Sequence, residues 1–343
     1  MRLYSKETGY LKMNPGQNRF ALLDILKKRK PAYRPVWFMR QAGRVLADYR
    51  RLKDRYDFLT LCHSPELATE ITLMPVKQLD VDAAILFSDI LIPLEAAGVD
   101  VKFSKDVTPV VDFGSDFEFH GFGGSLDFMA KTISNIKGEL KDRPLLGFSG
   151  APFTLICYLR GANSKNQYAA ARKLMYQMPS EEFFELEKMI IDYLMFQIRA
   201  GVDAVQLFDS WAGVLPADIY RERIFPSVKR IVSKVGRFAP VIYYAGGGSS
   251  HLSELLSKLP ANCISCDWRT DIVKFASEFT GSVQGNLDPA IMFADFSTIT
   301  EKQGTLLKEL PTDRYIVNFG HGVLPDTDQE KLKRLVDWIH NQQ

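Results

Sequence analysis

Two arginines bracket a short turn in PVWFMRQAGR, residues 35 to 44, directly after a run of apolar residues. A guanidinium is planar, permanently charged and rich in donors, so paired arginines are suited to bidentate capture of carboxylates or phosphates. Arg40 and Arg44 are spaced i, i+4, and a helical turn would place both on one face. Their counterpart is either a ligand anion or a carboxylate of the chain itself, Asp48 or Asp89. Asp89 ends the apolar run AAILFSD (83–89), where a carboxylate either caps the next turn or meets a bound molecule.

Other polar groups also close apolar runs. They are Ser88, Asp209 and Ser210 in FDS, Asp267 in CISCD, Asn286 and Asp288 in GNLDP, and His321 between glycines in NFGHG. His321 reads equally as a ligand contact, a proton donor or a satisfied structural group. Tyr158, after SGAPFTLIC, reads on its own as core packing. FDSWAG is not a nucleophile elbow, so Ser210 is no acyl-enzyme candidate, though it can hydrogen-bond. Cys263 and Cys266 have a CxxC spacing, but within a strand that spacing turns the thiols to opposite faces, as buried small hydrophobes. With His251 they make a zinc set only on paper.

The elements that must position these groups are legible as eight short apolar runs. They are 35–39, 83–89, 144–150, 204–210, 241–246, 263–267, 282–287 and 315–320. Helical patterns lie between most of them, as in 64–79, 180–201 and 250–259, each opening on a serine suited to N-capping. Near-continuous apolar strands alternating with helices predict a parallel sheet covered on both faces. Eight of them predict an α/β fold, a single closed (β/α)8 TIM barrel, with its active site where the strands end. A doubly wound sheet would want G-x-G-x-x-G after its first strand, and none occurs; GGG at 246–248 reads as a tight turn. VDVKFSKDVTPVVDFGSDFEF (99–119) reads as an extra hairpin. We take residues 1–16 as an N-terminal extension and 17–343 as one barrel domain.

Composition removes several function classes. The 343 residues carry 43 basic against 41 acidic side chains, a net charge of +2, which gives no case for nucleic acid or an anionic membrane as partner. No apolar run reaches membrane-spanning length, and the first twenty residues lack the apolar core of a targeting segment. Four cysteines, Cys62, Cys157, Cys263 and Cys266, are too few for a disulfide framework in a chain of this length. These features describe a soluble protein of a reducing compartment.

Several of these motifs resemble those of a known family. PVWFMRQAGR is similar to the first signature of the uroporphyrinogen decarboxylases, and GFSGAPFTLICY (147–158) to the second. LFSDIL (86–91), QLFDSWAG (206–213), CDWRTD (266–271), QGNLDP (284–289) and NFGHGVLPDTD (318–328) follow in the family's order and spacing. With NRF at 18–20, the resemblance runs from about residue 17 to the C-terminus. It implies a (β/α)8 barrel, a cytoplasmic homodimer with facing clefts, and a reaction without metal or organic cofactor. That reaction converts the four acetate side chains of uroporphyrinogen III, a polycarboxylate macrocycle, to methyls, giving coproporphyrinogen III and carbon dioxide.

By the same resemblance, Arg40 and Arg44 match the signature arginines that hold substrate carboxylates, and the backbone of Gln41, Ala42 and Gly43 would line the same wall. Asp89 matches the family's central aspartate, placed to accept pyrrole N–H groups and to stabilise the cation formed when the ring is protonated. Asp89 and Arg40 are thus the catalytic candidates, and Tyr158, Ser210 and His321 match the remaining substrate contacts. The chain departs from the family at Val45 and Ala47, where tyrosine and proline are usual, which predicts a looser entrance turn. It departs again at LRGAN after Tyr158, and at YYAGGG, which lacks a lysine. Two rivals remain: a zinc- or corrinoid-linked methyltransferase on the same barrel, and a catalytically silent porphyrin-binding relative.

Overall fold

The computed structural model describes residues 20–104, 107–112, 118–161, 168–177 and 182–342. The expected extension at 1–16 lies outside them. The strands are β1 (Ala84–Ile85), β2 (Asp100–Ser104), β3 (Val107–Asp112), β4 (Leu145–Gly150), β5 (Ala204–Asp209), β6 (Val241–Ala245), β7 (Cys263–Cys266), β8 (Ser282–Leu287) and β9 (Tyr315–Phe319). Seven of them form one parallel sheet in the order β1-β4-β5-β6-β7-β8-β9. Six of the eight expected runs are thus regular ladder strands. Their sequential order is what right-handed crossovers through outer helices produce.

The other two runs depart from the expectation. Residues 83–89 give only the two-residue β1, and 35–39 gives a single parallel bridge, Val36 to Val317. The reason lies in where the backbone donors go. Pro35 has no N–H. The N–H of Val36 donates to Asp82 Oδ2 at 2.8 Å, that of Phe38 to Gln41 Oε1 at 2.9 Å and that of Met39 to Asn318 Oδ1 at 3.1 Å. Side chains replace the ladder. The segment still occupies the eighth place: Trp37 N–H donates to Val317 C=O at 3.2 Å, and Asp82 N–H, just before β1, donates to Val36 C=O at 2.7 Å. The sheet therefore curls into an α/β barrel.

The barrel interior carries a polar line as well as apolar side chains. Trp37 Nε1 donates to Gln284 Oε1 at 2.9 Å, and Gln284 Nε2 donates to Ser265 Oγ at 2.9 Å and Gln206 Oε1 at 3.2 Å. All four residues are buried, and the bonds join the first segment to β5, β7 and β8 across the interior. Outside, the expected helix over 64–79 runs Pro65–Leu79, with Ser64 Oγ accepting from Leu67 N–H at 3.3 Å. The pattern over 180–201 gives Glu182–Ala200, its first residues lying outside those described. The third pattern breaks into a 3₁₀ turn, Ser249–Leu252, and a short helix, Ser253–Leu256. Ser250 does not cap: it lies within the 3₁₀ turn, whose N-cap position is Gly248, and its C=O accepts from Ser253 Oγ at 2.7 Å. Strands β2 and β3 pair antiparallel, with Val101 opposite Val111; residues 105–106 and 113–117 of the expected hairpin lie outside those described. Among the described residues no helix is long and apolar enough to cross a membrane.

Candidate active site

Where the strands end, a cavity of about 470 Å³ opens, within the range of roughly 300–1,000 Å³ usual for small-molecule sites. Arg40 and Arg44 line it, but not from a helix. Residues 39–46 are turns and bends, and the helix begins only at Ala47. Arg40 itself has φ 62°, a left-handed backbone that non-glycine residues avoid at a cost of about 1–2 kcal/mol. It is held there from both sides. Val323 N–H donates to Met39 C=O at 2.8 Å, and Gln41 N–H to Phe38 C=O at 3.1 Å. The Gln41 side chain accepts from Phe38 N–H and donates to Ala83 C=O at 2.8 Å.

Gln41 is therefore fully buried beneath the turn and its side chain fastens the loop, while Ala42 and Gly43 lie on the cavity wall. The protein's own carboxylates do not take the arginines. Asp48 accepts from Arg51 at 2.7 Å and from Gln78 at 2.8 Å, and among the described residues neither Arg40 nor Arg44 has an ion-pair partner.

Asp89 faces the same cavity from the loop after β1. Burial pushes its carboxyl up to about 6; the Leu91 N–H, donating to Oδ1 at 2.8 Å, opposes that rise and the Glu95 charge adds to it. Tyr158 reaches the cavity from the helix Pro152–Leu159, its ring 4.9 Å from that of Trp211. Burial and then the Asp89 charge push its hydroxyl up to about 12, so it is an O–H donor. Ser210 lines the wall directly after β5, and His321 two residues after β9. Burial, and then the Arg40 charge, hold the His321 imidazole below its usual 6.5, so it is neutral at pH 7. The cavity thus brings together two arginines, one titratable carboxylate and the neutral hydrogen-bonding groups of Tyr158, Ser210 and His321, with Ser88, Tyr49 and Tyr244 also on its wall.

Other polar residues at the strand ends are occupied in the scaffold. Asp267 pairs with Arg269 Nη1 at 3.0 Å, and Asn286 Nδ2 donates to the carbonyls of Asp267 and Thr270 at 3.1 and 2.7 Å. Asp288 caps the turn Pro289–Phe293. Asp209 is buried outside the cavity. Cys263 and Cys266 are buried in β7, His251 Nε2 donates to Leu215 C=O at 2.8 Å, and no cluster suited to a metal occurs among the described residues. Ala47, expected to loosen the entrance turn, is tied down by its backbone. Its N–H donates to Gln329 Oε1 at 3.0 Å, a bond proline could not make, and Gln329 Nε2 in turn donates to Gln78.

Reading strand ends for polar groups missed the apolar wall: Met39, Phe87, Phe148, Phe208, Tyr244 and Val323. The signal for part of it was the pleat. Residues two apart face the same way, so Phe208 shares the face of Ser210, and its register partner Tyr244 follows.

A family model described as uroporphyrinogen decarboxylase (URO-D) matches residues 18–342. The uroporphyrinogen decarboxylase of Geobacillus thermodenitrificans is 41% identical over 332 residues, covering 93% of this chain and 96% of the relative. That of Bacillus subtilis is 39% identical over 331 residues, covering 93% and 94%. A solved methyltransferase from Methanosarcina mazei superposes with TM-score 0.74 at 17% identity, covering 94% of this chain and 98% of that one, a likeness of fold alone. The barrel and the full-length match agree: the chain belongs to the uroporphyrinogen decarboxylase family.

Proposed function

We propose that this chain decarboxylates uroporphyrinogen, converting its four acetate arms to methyls and yielding coproporphyrinogen. The observation that carries the reading is the pairing of two arginines, without carboxylate partners among the described residues, with one titratable carboxylate in a single cavity. Each step exchanges CO2 for H⁺. A proton adds to the pyrrole α-carbon, and the ring becomes a cation. The bond from the arm's CH2 to its carboxylate then breaks, and the electron pair flows into that cation. A proton at the exocyclic carbon and loss of the one on the ring complete the methyl. The balance is one proton consumed for each CO2 released.

Asp89, as the carboxylate, accepts pyrrole N–H bonds and stabilises the developing cation in a site with few competing charges. Arg40 and Arg44 hold the substrate's acidic arms, with the backbone at Gln41 to Gly43 behind them. Tyr158 and Ser210 donate hydrogen bonds to propionate or acetate oxygens, and neutral His321 donates without adding a third cation. Arg40 is too weak an acid to deliver the proton and acts by holding the departing carboxylate or a water. The reading includes a homodimer in the cytoplasm and no added cofactor. Anaerobic incubation with freshly reduced uroporphyrinogen III, followed by oxidation and separation by carboxylate number, tests it. Four-carboxylate product is expected, and a well-folded protein that makes none would overturn it.

A further inference from the structure

Asp209 turns its carboxylate away from the cavity, although Phe208 and Ser210 on either side both line it. Three hydroxyls close on that carboxylate. Thr154 Oγ1 donates to Oδ1 at 3.0 Å, and the Tyr243 and Tyr220 hydroxyls donate to Oδ2 at 2.8 and 3.3 Å. The two phenol oxygens are themselves 2.5 Å apart, so with Tyr243 donating to Oδ2 the single Tyr220 hydrogen is shared between Tyr243 and Oδ2. A carboxylate offers acceptors on both sides and no donor, which is what three converging O–H groups require.

The bond to Thr154 has a second meaning. Thr154 lies in the first turn of the helix Pro152–Leu159, whose N-cap, Ala151, has no side-chain oxygen to give its free N–H groups. Asp209 brings its carboxylate to this end of the helix from the neighbouring strand, bonding the Thr154 hydroxyl. A negative charge at this end of a helix is favoured. Four residues on, the same helix presents Tyr158 to the cavity. On the other side, Asp209 C=O accepts from Gly246 N–H at 3.0 Å and Phe208 C=O from Ala151 N–H at 2.8 Å, fixing the peptide that leads into Ser210.

We infer that Asp209 is a positioning residue for the reaction: its buried carboxylate sets the helix bearing Tyr158 through Thr154 and ties that helix to the strand whose next residue is Ser210. This rests on the decarboxylase reading of the cavity. In Asp209→Asn one acceptor position becomes an NH2, aimed either at Thr154 or at the two phenols, so one anchor is lost. Tyr158 and Ser210 contact arms that are held alike before and during the reaction. Their misplacement therefore weakens binding more than turnover.

The test is steady-state kinetics with uroporphyrinogen on wild type, Asp209→Asn, Tyr158→Phe and the double variant, with hydrogen–deuterium exchange on residues 152–159. Glu187→Gln is the control: Glu187 is also buried and accepts from Ser227 and Arg230 at 3.1 and 2.9 Å, but does not line the cavity. Asp209→Asn should raise KM about tenfold with kcat changed less than about threefold, and speed exchange in 152–159. The double variant should fall well short of the product of the single effects. Glu187→Gln should lower Tm and leave KM in place. An unchanged KM in Asp209→Asn, or fully multiplicative effects, would overturn the inference. Should Asp209→Asn not fold, Thr154→Val removes the same anchor from the helix and carries the same expectations. Absence of turnover in wild type would reject the decarboxylase reading, while the exchange comparison would still decide whether Asp209 anchors the helix.

Discussion

The Arg40 side chain passes directly over Gly322: a β-carbon at 322 would collide with Cδ and stand 2.7 Å from Cγ. The first segment's arginine and the loop after the last strand are thus fitted to one another, and glycine at 322 leaves room for the path that the Arg40 side chain takes. Gly322→Ala should displace Arg40 and lower kcat/KM about tenfold or more, with Tm nearly unchanged because Arg40 is exposed. A variant with wild-type kcat/KM would show that the path of Arg40 is immaterial.

In the proposed role Asp89 must be ionised to stabilise the cation that forms on the protonated ring. With its carboxyl raised to about 6, kcat/KM should fall on the acid side with a midpoint near that pH. Asp89→Asn should remove most activity. The stability sign is opposite. A carboxyl raised above its ordinary 3.8 holds its proton more tightly folded than unfolded, so its contribution is favourable at low pH and is lost as pH rises through about 6. Above that pH the variant should melt about 2–4 °C higher than wild type, an exchange of stability for function. Calorimetry at pH 5 and pH 8 compares the two.

Binding through Arg40 and Arg44 should weaken with salt. Arg44→Met should raise KM about 10- to 100-fold, and its KM should depend less on ionic strength than that of wild type. Arg44→Lys keeps the charge but loses the bidentate fork, and should lie between the two. Equal salt slopes for wild type and Arg44→Met would remove Arg44 from carboxylate binding.

At the opposite end of the barrel, His340 Nε2 bonds Asp82 Oδ2 at 2.9 Å, the same oxygen that accepts from Val36 N–H. That hydrogen bond raises the His340 imidazole above its ordinary 6.5. The resulting stability is present in full below about 6.5 and is lost as pH rises through the higher folded value. His340→Gln should cost about 1 kcal/mol near pH 6, and less near pH 9. Urea titrations of both proteins across that range measure it.

The strands that are near-continuous apolar runs with turn residues at both ends were readable, because local hydrophobic pattern is all such a buried ladder needs. The first segment was not readable as irregular: its donors go to Asp82, Gln41 and Asn318, partners that no local pattern names. Arg40 and Arg44 converge on the cavity although the helical turn that seemed to require it does not form. The remaining gap is one of facing. Asp209 and Ser210 are equally polar neighbours at a strand end, yet one fastens the scaffold and the other lines the cavity. Period two separates them only once the strand's inward face is known, and Phe208 would have fixed that face.

The eighth place in the barrel is filled by the segment made first, and its partner is made last. Met39 and Asn318 are bonded across 279 residues of chain. At about 5–20 residues per second a ribosome needs roughly 15–55 s to span that interval. Once residue 210 is made, a nascent chain possesses Asp89, Tyr158 and Ser210, yet the bonds that Asn318 and Val323 give the Arg40 turn are still missing and His321 does not exist. A fragment released before residue 315 would carry most of the wall without the paired ends that complete it. The order of synthesis thus makes substrate binding one of the last properties the polypeptide acquires.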